Sequence, residues 1–210
     1  MKKKSPVIPI LLIAAAVIFL ITRPHPDKHR AISGLKDPVQ KETTGGVKKS
    51  LDGYDLTIDF KYTYDIEALV ISTKDYSPSN IGNKLSPKDL ALAWGPVAQV
   101  NDKYDFHWRH GSRFYYWNLD SWDDLERIGG ESVVTEHSAN CHIIPADDEV
   151  KKKVKKMKAG DHIRLKGYLV NIDGSTSDGN TFWWYSSTVR SDSGDGACEV
   201  IYVTDAQILP

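Results

Sequence analysis

Tyr54, Leu56, Ile58, Phe60 and Tyr62 alternate with Asp55, Thr57, Asp59 and Lys61. A period of two is that of a strand and predicts one buried face. Ile66 to Thr73 continues as a second strand. Ser86-Pro87-Lys88-Asp89 reads as an N-cap, a proline at the first helical position and an acid in the first turn. It predicts a short helix over Leu90 to Trp94, stopped by Gly95-Pro96. Asp105 to Trp108 and Arg113 to Leu119 are aromatic strands about a turn at His110-Gly111-Ser112, and Glu131 to Glu136 is a further strand. Asp147-Asp148-Glu149 ahead of Lys151 to Lys158 has acids at a helix start and bases at its end, as the macrodipole prefers. Val150, Val154 and Met157 give that helix one apolar stripe. His162 to Ile172, Thr181 to Thr188 and Ala197 to Thr204 are strands separated by Asp/Gly/Ser turns, and Gln207 to Leu209 adds a short last one. The sum is a mainly β chain with two short helices, a small antiparallel barrel or sandwich of OB-like character.

A different pattern occupies the amino terminus. Fifteen apolar or proline residues run unbroken from Val7 to Ile21 behind Lys2, Lys3 and Lys4. There is no amphipathic period, so a buried core helix is a poor description. A cleaved signal peptide needs small residues after the apolar run, whereas Ala14-Ala15-Ala16 lies in its middle. The alternative is an uncleaved anchor. Residues 5–22 would form ~27 Å of helix at ~1.5 Å per residue, slightly short of a ~30 Å hydrocarbon core. The segment predicts a single-pass anchor over residues 1–22 in the cytoplasmic (inner) membrane. The lysine triplet lies inside, and the rest of the chain faces the periplasm or exterior. Residues 23–50 lack aromatics and contain Pro24, Pro26, Pro38, Gly34, Gly45 and Gly46, the composition of a flexible tether. The folded domain is then 51–210.

Charge changes meaning under that division. The whole chain has a net charge of −1. Without residues 1–22 it holds 24 basic and 28 acidic residues, a net of −4. A mildly acidic exported domain is not a nucleic-acid binder.

Several segments together look familiar. They are Leu85 to Pro96 (LSPKDLALAWGP), Trp108 to Trp117 (WRHGSRFYYW), His137 to Ala146 (HSANCHIIPA), Gly160 to Val170, and Trp184 to Glu199 (WYSSTVRSDSGDGACE). On these the chain resembles a family of small bacterial proteins with an N-terminal membrane anchor and an extracytoplasmic β-rich domain. That family has no assigned activity. The resemblance implies the anchored architecture and supplies no mechanism.

Candidate chemistry is sparse. His107 and His110 are an odd number of positions apart, as are His137 and His142, so each pair would leave a strand on opposite faces. Neither H-E-x-x-H nor C-x-x-C occurs, and no metal or other cofactor is expected. There is no G-x-S-x-G or S-x-x-K for a serine nucleophile. Cys141 and Cys198 are the only cysteines. Export would place them in an oxidising compartment, which makes them a disulfide candidate, with two buried thiols as the alternative. The best place to look for a ligand site is the polar set Asn140, His142, Arg190, Asp192 and Glu199. Arg190 can grip a carboxylate or phosphate bidentately, or serve as a structural partner of Asp192 or Glu199. Eight of the 21 aromatics fall between Tyr104 and Trp122, and Phe182 to Tyr185 adds four. Neighbouring aromatics on a strand face both ways, so some leave the core and suit a sugar ring, a peptide or an envelope protein.

The anchor, the tether and the aromatics, with no coherent catalytic set, predict a membrane-anchored extracytoplasmic binding or envelope-accessory module. The competing expectation is an envelope hydrolase or metal-dependent enzyme using His142, Arg190, Asp192 and neighbours. A cleft collecting the polar set would favour the enzyme. A filled barrel with an aromatic patch would favour binding.

Overall fold

The computed structural model describes residues 27–210. The anchor read over residues 1–22 lies outside the described residues, among which no helix is long and apolar enough to cross a membrane. Two strands precede Leu56: β1 (Val39–Glu42) and β2 (Gly46–Leu51), both paired antiparallel with the long β3 (Tyr54–Asp75). Leu35 is buried, and Ile32 N–H donates to the Ala98 carbonyl at 2.9 Å. Residues 32–50 are therefore part of the folded body. The tether expected there fails because low apolar content does not prevent a segment from serving as an edge strand, where the backbone supplies the bonding.

The chain continues through α1 (Ile81–Leu85), β4 (Lys88–Ala93), α2 (Gly95–Val100), the hairpin β5 (Arg109–Gly111) and β6 (Phe114–Tyr116), α3 (Trp122–Ile128) and α4 (Glu131–Glu136). Then come β7 (Ser138–Pro145), α5 (Asp148–Lys155), β8 (His162–Thr176), β9 (Thr181–Tyr185) and β10 (Glu199–Ile208). The protein is mainly β, as expected, with five short helices among the described residues instead of two.

Eight strands form one sheet. Its order is β1-β3-β4-β7-β10-β8-β9, and β8 also pairs along β3. Only β7 and β10 run parallel; the other pairs are antiparallel. β3 has β4 and β8 on its two edges together only about Leu69, which is paired with both Ala93 and His162. The sheet is strongly coiled and is not a closed barrel.

Two apolar clusters lie on opposite faces of this sheet. The larger one packs Tyr64, Ile66, Leu90, Leu92, Ile143, Leu165 and Ile201 beneath Val150, Val154 and Met157 of the α5 region. The smaller one packs Leu56, Ile58, Leu85, Ile144, Val170, Ile172 and Val200, with Phe182 and Trp184 against it. A bulge in β3 lets one strand serve both. Phe60 is opposite Val170 while Tyr62 is opposite Leu169, so Lys61 is the extra residue. Even positions before the bulge face the small cluster, and even positions after it face the large one. The unbroken alternation thus conceals a change of face.

Several element predictions were wrong. Residues 105–108 lie in no strand, the hairpin strands being 109–111 and 114–116, and the separate strands expected at 66–73 and 207–209 are continuations of β3 and β10. Residues 88–93 form a strand, not a helix, and every residue of it is buried. A strand covered on both faces shows a continuous apolar run in place of alternation. Residues 131–136 form a helix despite the β-branched Val133-Val134-Thr135, entered from Gly129 and Gly130 at φ 109° and 94°. The lysine-rich helix α5 is as predicted. The Asp147 side chain caps it by accepting from Val150 N–H at 2.8 Å.

Candidate functional site

Because β7 and β10 are parallel, they begin at the same end of the sheet. Their first residues form the floor of a pocket of about 260 Å³. Ser138, Ala139 and Asn140 come from β7, and Cys198 and Glu199 from the start of β10. The loop between β9 and β10 adds Arg190 and Asp192. The chain between β4 and β7 folds back over this end and supplies an aromatic wall of Trp94, Phe114, Tyr115, Tyr116 and Trp117, with Glu131 of α4 at the edge.

Four of the five residues expected to form a site therefore meet: Asn140, Arg190, Asp192 and Glu199. His142 does not join them. It is buried on the far side of Asn140, where its Nδ1 lies 3.0 Å from Asp89 Oδ1 and its ring packs 4.6 Å from that of Trp184.

Glu199 is the buried carboxyl of the pocket floor. It is 2% exposed, and Arg190 Nη1 donates to its Oε1. Its Oε2 is buried without a hydrogen-bond partner. Burial pushes its carboxyl up to about 7, against the downward pull of the Arg190 guanidinium. Arg190 is committed inward. Its Nη2 donates to Gln40 Oε1 at 2.9 Å, and its guanidinium lies 5.4 Å from the Tyr64 ring centre and 5.6 Å from that of Trp94. This contact also explains why β1, which carries Gln40, belongs to the folded body. The bland alternative for Arg190, an ion pair with Glu199, is what forms. Asp192 Oδ2 accepts from Ser187 Oγ at 2.6 Å, which fixes the loop.

Behind Asn140 lies a second polar network that holds the aromatic wall in place. Arg113 Nη1 donates to the fully buried Asp89 at 2.6 Å, and Nη2 donates to Asn83 Oδ1 at 2.5 Å and to the Ser86 carbonyl at 3.0 Å. Its guanidinium stacks 3.7 Å from the Tyr76 ring centre. Asn140 Nδ2 donates to the Arg113 carbonyl at 2.7 Å, and its Oδ1 lies 2.9 Å from His110 Nε2. Burial pushes His110 down from the ordinary imidazole range, which keeps its ring neutral between Asn140 and Ser72. Ser112 and Arg113 form the hairpin turn at φ 51° and 70°. Neither Arg113 nor Asp89 stands out in the sequence as a site residue: Asp89 reads as the first-turn acid of a helix and Arg113 as the first residue of an aromatic strand. The aromatic cluster marked the hairpin without showing where it docks.

Both cysteines are free. Cys141 is in register with Glu199 and belongs to the inner core, whereas Cys198 accepts from Asn140 Nδ2 at 3.4 Å. Successive residues of β7 point to opposite faces, so the two thiols lie on opposite sides of the strand and do not form the candidate bridge. Burial pushes the Cys198 thiol up to about 11 and also raises the Cys141 thiol well above its ordinary value, which leaves both unreactive. Among the described residues no group of three or more His, Cys, Asp or Glu is placed to hold a metal ion. His107 lies against Asp105 and Asp120, and His137 Nδ1 is 2.8 Å from the Val133 carbonyl.

Compared with protein-family models, with curated proteins and with solved structures, this chain matches none.

Proposed function

We propose that this chain is a membrane-anchored extracytoplasmic module that binds a small envelope-derived ligand, a glycan or peptide end, in the pocket at the start of β7 and β10. The supporting observation is the pocket itself: an aromatic wall facing a floor of Asn140, Arg190, Asp192 and Glu199. Ligand pockets combine apolar and aromatic walls with a few convergent polar groups. The strand order supports an OB-like reading. With β3, β4, β7, β8 and β10 as the five strands, the helix α5 joins the third to the fourth, and the third runs parallel to the fifth. OB-like sheets are partly open, and they bind saccharides and nucleotides on the second and third strands and the adjoining loops. The pocket uses the third strand and the loop before the fifth. The basic, apolar segment over residues 1–22 supports placement in the cytoplasmic membrane with this pocket outside, in keeping with the anchored family that the chain resembles.

One observation favours a second reading, an envelope hydrolase. A buried carboxyl raised to about 7 in the same pocket as Asp192 supplies an acid and a carboxylate within one cavity. The version built on His142 loses support, because His142 does not line the pocket. One experiment separates the readings. Full-length protein is screened by thermal shift against cell-wall glycan fragments and short peptides, and the hits are followed for bond cleavage. Saturable binding with every hit recovered intact supports the module. Cleavage that is lost in Glu199→Gln supports the enzyme. A C-terminal reporter fusion active only in the cytoplasm would overturn the placement.

A further inference from the structure

We infer that the pocket recognises a protonated amine on its ligand, an inference that rests on the binding reading above. Three carboxylate side chains line it, Glu131, Asp192 and Glu199, against a single guanidinium. That guanidinium is already engaged by Glu199 and Gln40 and lies over two rings, so it has little capacity left for a ligand anion. Among the described residues neither Glu131 nor Asp192 has a basic partner. Glu199 Oε2 is a buried acceptor with no donor. An –NH3+ group brings three donors and one positive charge, which answers both deficits. The rings of Tyr115, Tyr116 and Trp117 line the same space, and an aromatic lining favours a cation over a neutral group of equal size. A neutral hydroxyl could satisfy Oε2 but would leave the excess negative charge unanswered. A carboxylate or phosphate would add to it.

Amino sugars and peptide N-termini both carry this group, so the test has an arm for each. Full-length protein is titrated calorimetrically near neutral pH with glucosamine against glucose, and with alaninamide against propionamide. The expected result is an amine at least about fivefold tighter than its neutral counterpart in one arm. The advantage should shrink as salt is raised. It should also be lost in the double variant Glu131→Gln/Asp192→Asn, in which Glu131 is exposed and the asparagine keeps an oxygen to accept from Ser187, with the fold verified by circular dichroism. The responding arm identifies the source. Equal binding of amine and neutral partner overturns the amine inference and leaves the binding reading standing. Amine binding unchanged in the double variant places the amine elsewhere and also overturns it. If no amine binds while a neutral glycan from the wider screen does, the amine inference alone falls. If no compound in either panel binds, both fall.

Discussion

Glu199→Gln isolates the energetic cost of the pocket floor. Glutamine keeps an oxygen that can accept from Arg190 and removes only the titration. In the wild-type fold, burial raises the Glu199 carboxyl from 4.5 to about 7. The folded state therefore holds this proton more tightly than the unfolded state. Its stabilising contribution is complete below about pH 4.5 and is lost as pH rises through about 7. At about 1.4 kcal/mol per pKa unit, the shift corresponds to about 3 kcal/mol. The Tyr64 phenol and the Cys141 thiol also face Glu199, and burial pushes both upward, so neither ionises in this range. Arg190 stays charged throughout. The assay is urea unfolding followed by tryptophan fluorescence for both proteins, in steps from about pH 4.5 to about pH 8. Titrations elsewhere in the chain cancel in the difference between the two curves. Relative to the variant, the wild type should lose about 3 kcal/mol across this interval, most of it between about pH 5 and about pH 7. Parallel curves would show that Glu199 ionises normally, and the account of a desolvated carboxyl on the pocket floor would be refuted.

Three further outcomes follow from the geometry. Arg113→Ala leaves Asp89 buried without its guanidinium and should cost about 3 kcal/mol, with faster amide exchange over residues 109–117; adding Asp89→Asn should restore part of the loss, and additive losses in the double variant would contradict the coupling of Arg113 to Asp89. Gly167→Ala places a Cβ 2.0 Å from the Tyr202 carbonyl oxygen, backbone against backbone, so β8 and β10 must separate; a loss of at least about 3 kcal/mol is expected in denaturant, and a near-neutral result would mean that the two strands do not approach so closely. Protein purified without reductant should alkylate at two thiols after denaturation and at neither rapidly before it, whereas a mass two hydrogens lower would establish a Cys141–Cys198 bridge.

What could be read from the sequence, and what could not, divides along physical lines. Features carried by neighbouring residues were legible. Acids before α5 and lysines along it announce a capped, dipole-matched helix wherever it packs. Alternation marked β3, β8 and β10. Arg190, Asp192 and Glu199 could be grouped because they lie within ten positions of one another; what brings Asn140 to them, the parallel pairing of β7 with β10, appears only in the structure. Features set by pairing were not legible. The bulge at Lys61 turns β3 over without disturbing its alternation, so the pattern is compatible with one buried face or with two. Ser86-Pro87-Lys88-Asp89 carries every local sign of a helix start. Tertiary burial overrides them, because Leu90, Ala91 and Leu92 have partners on both sides and Asp89 has Arg113.

The same distinction accounts for the error about His142. Alternate positions on one face of a strand were taken as one site, although only Asn140 reaches the pocket and His142 lies further along β7, against Asp89 and Trp184. The complementary omission was the wall of the pocket. Trp117 and Glu131 reach it only because Arg113, held by Asp89, fixes the hairpin against β7. Arg113 therefore does for the wall what Arg190 does for the floor: each is a guanidinium placed between a buried carboxylate and aromatic rings. The two arginines set the shape of the pocket, and their charge is consumed in doing so. The remaining carboxylates, Glu131 and Asp192, keep theirs, and the proposed recognition of an amine rests on them.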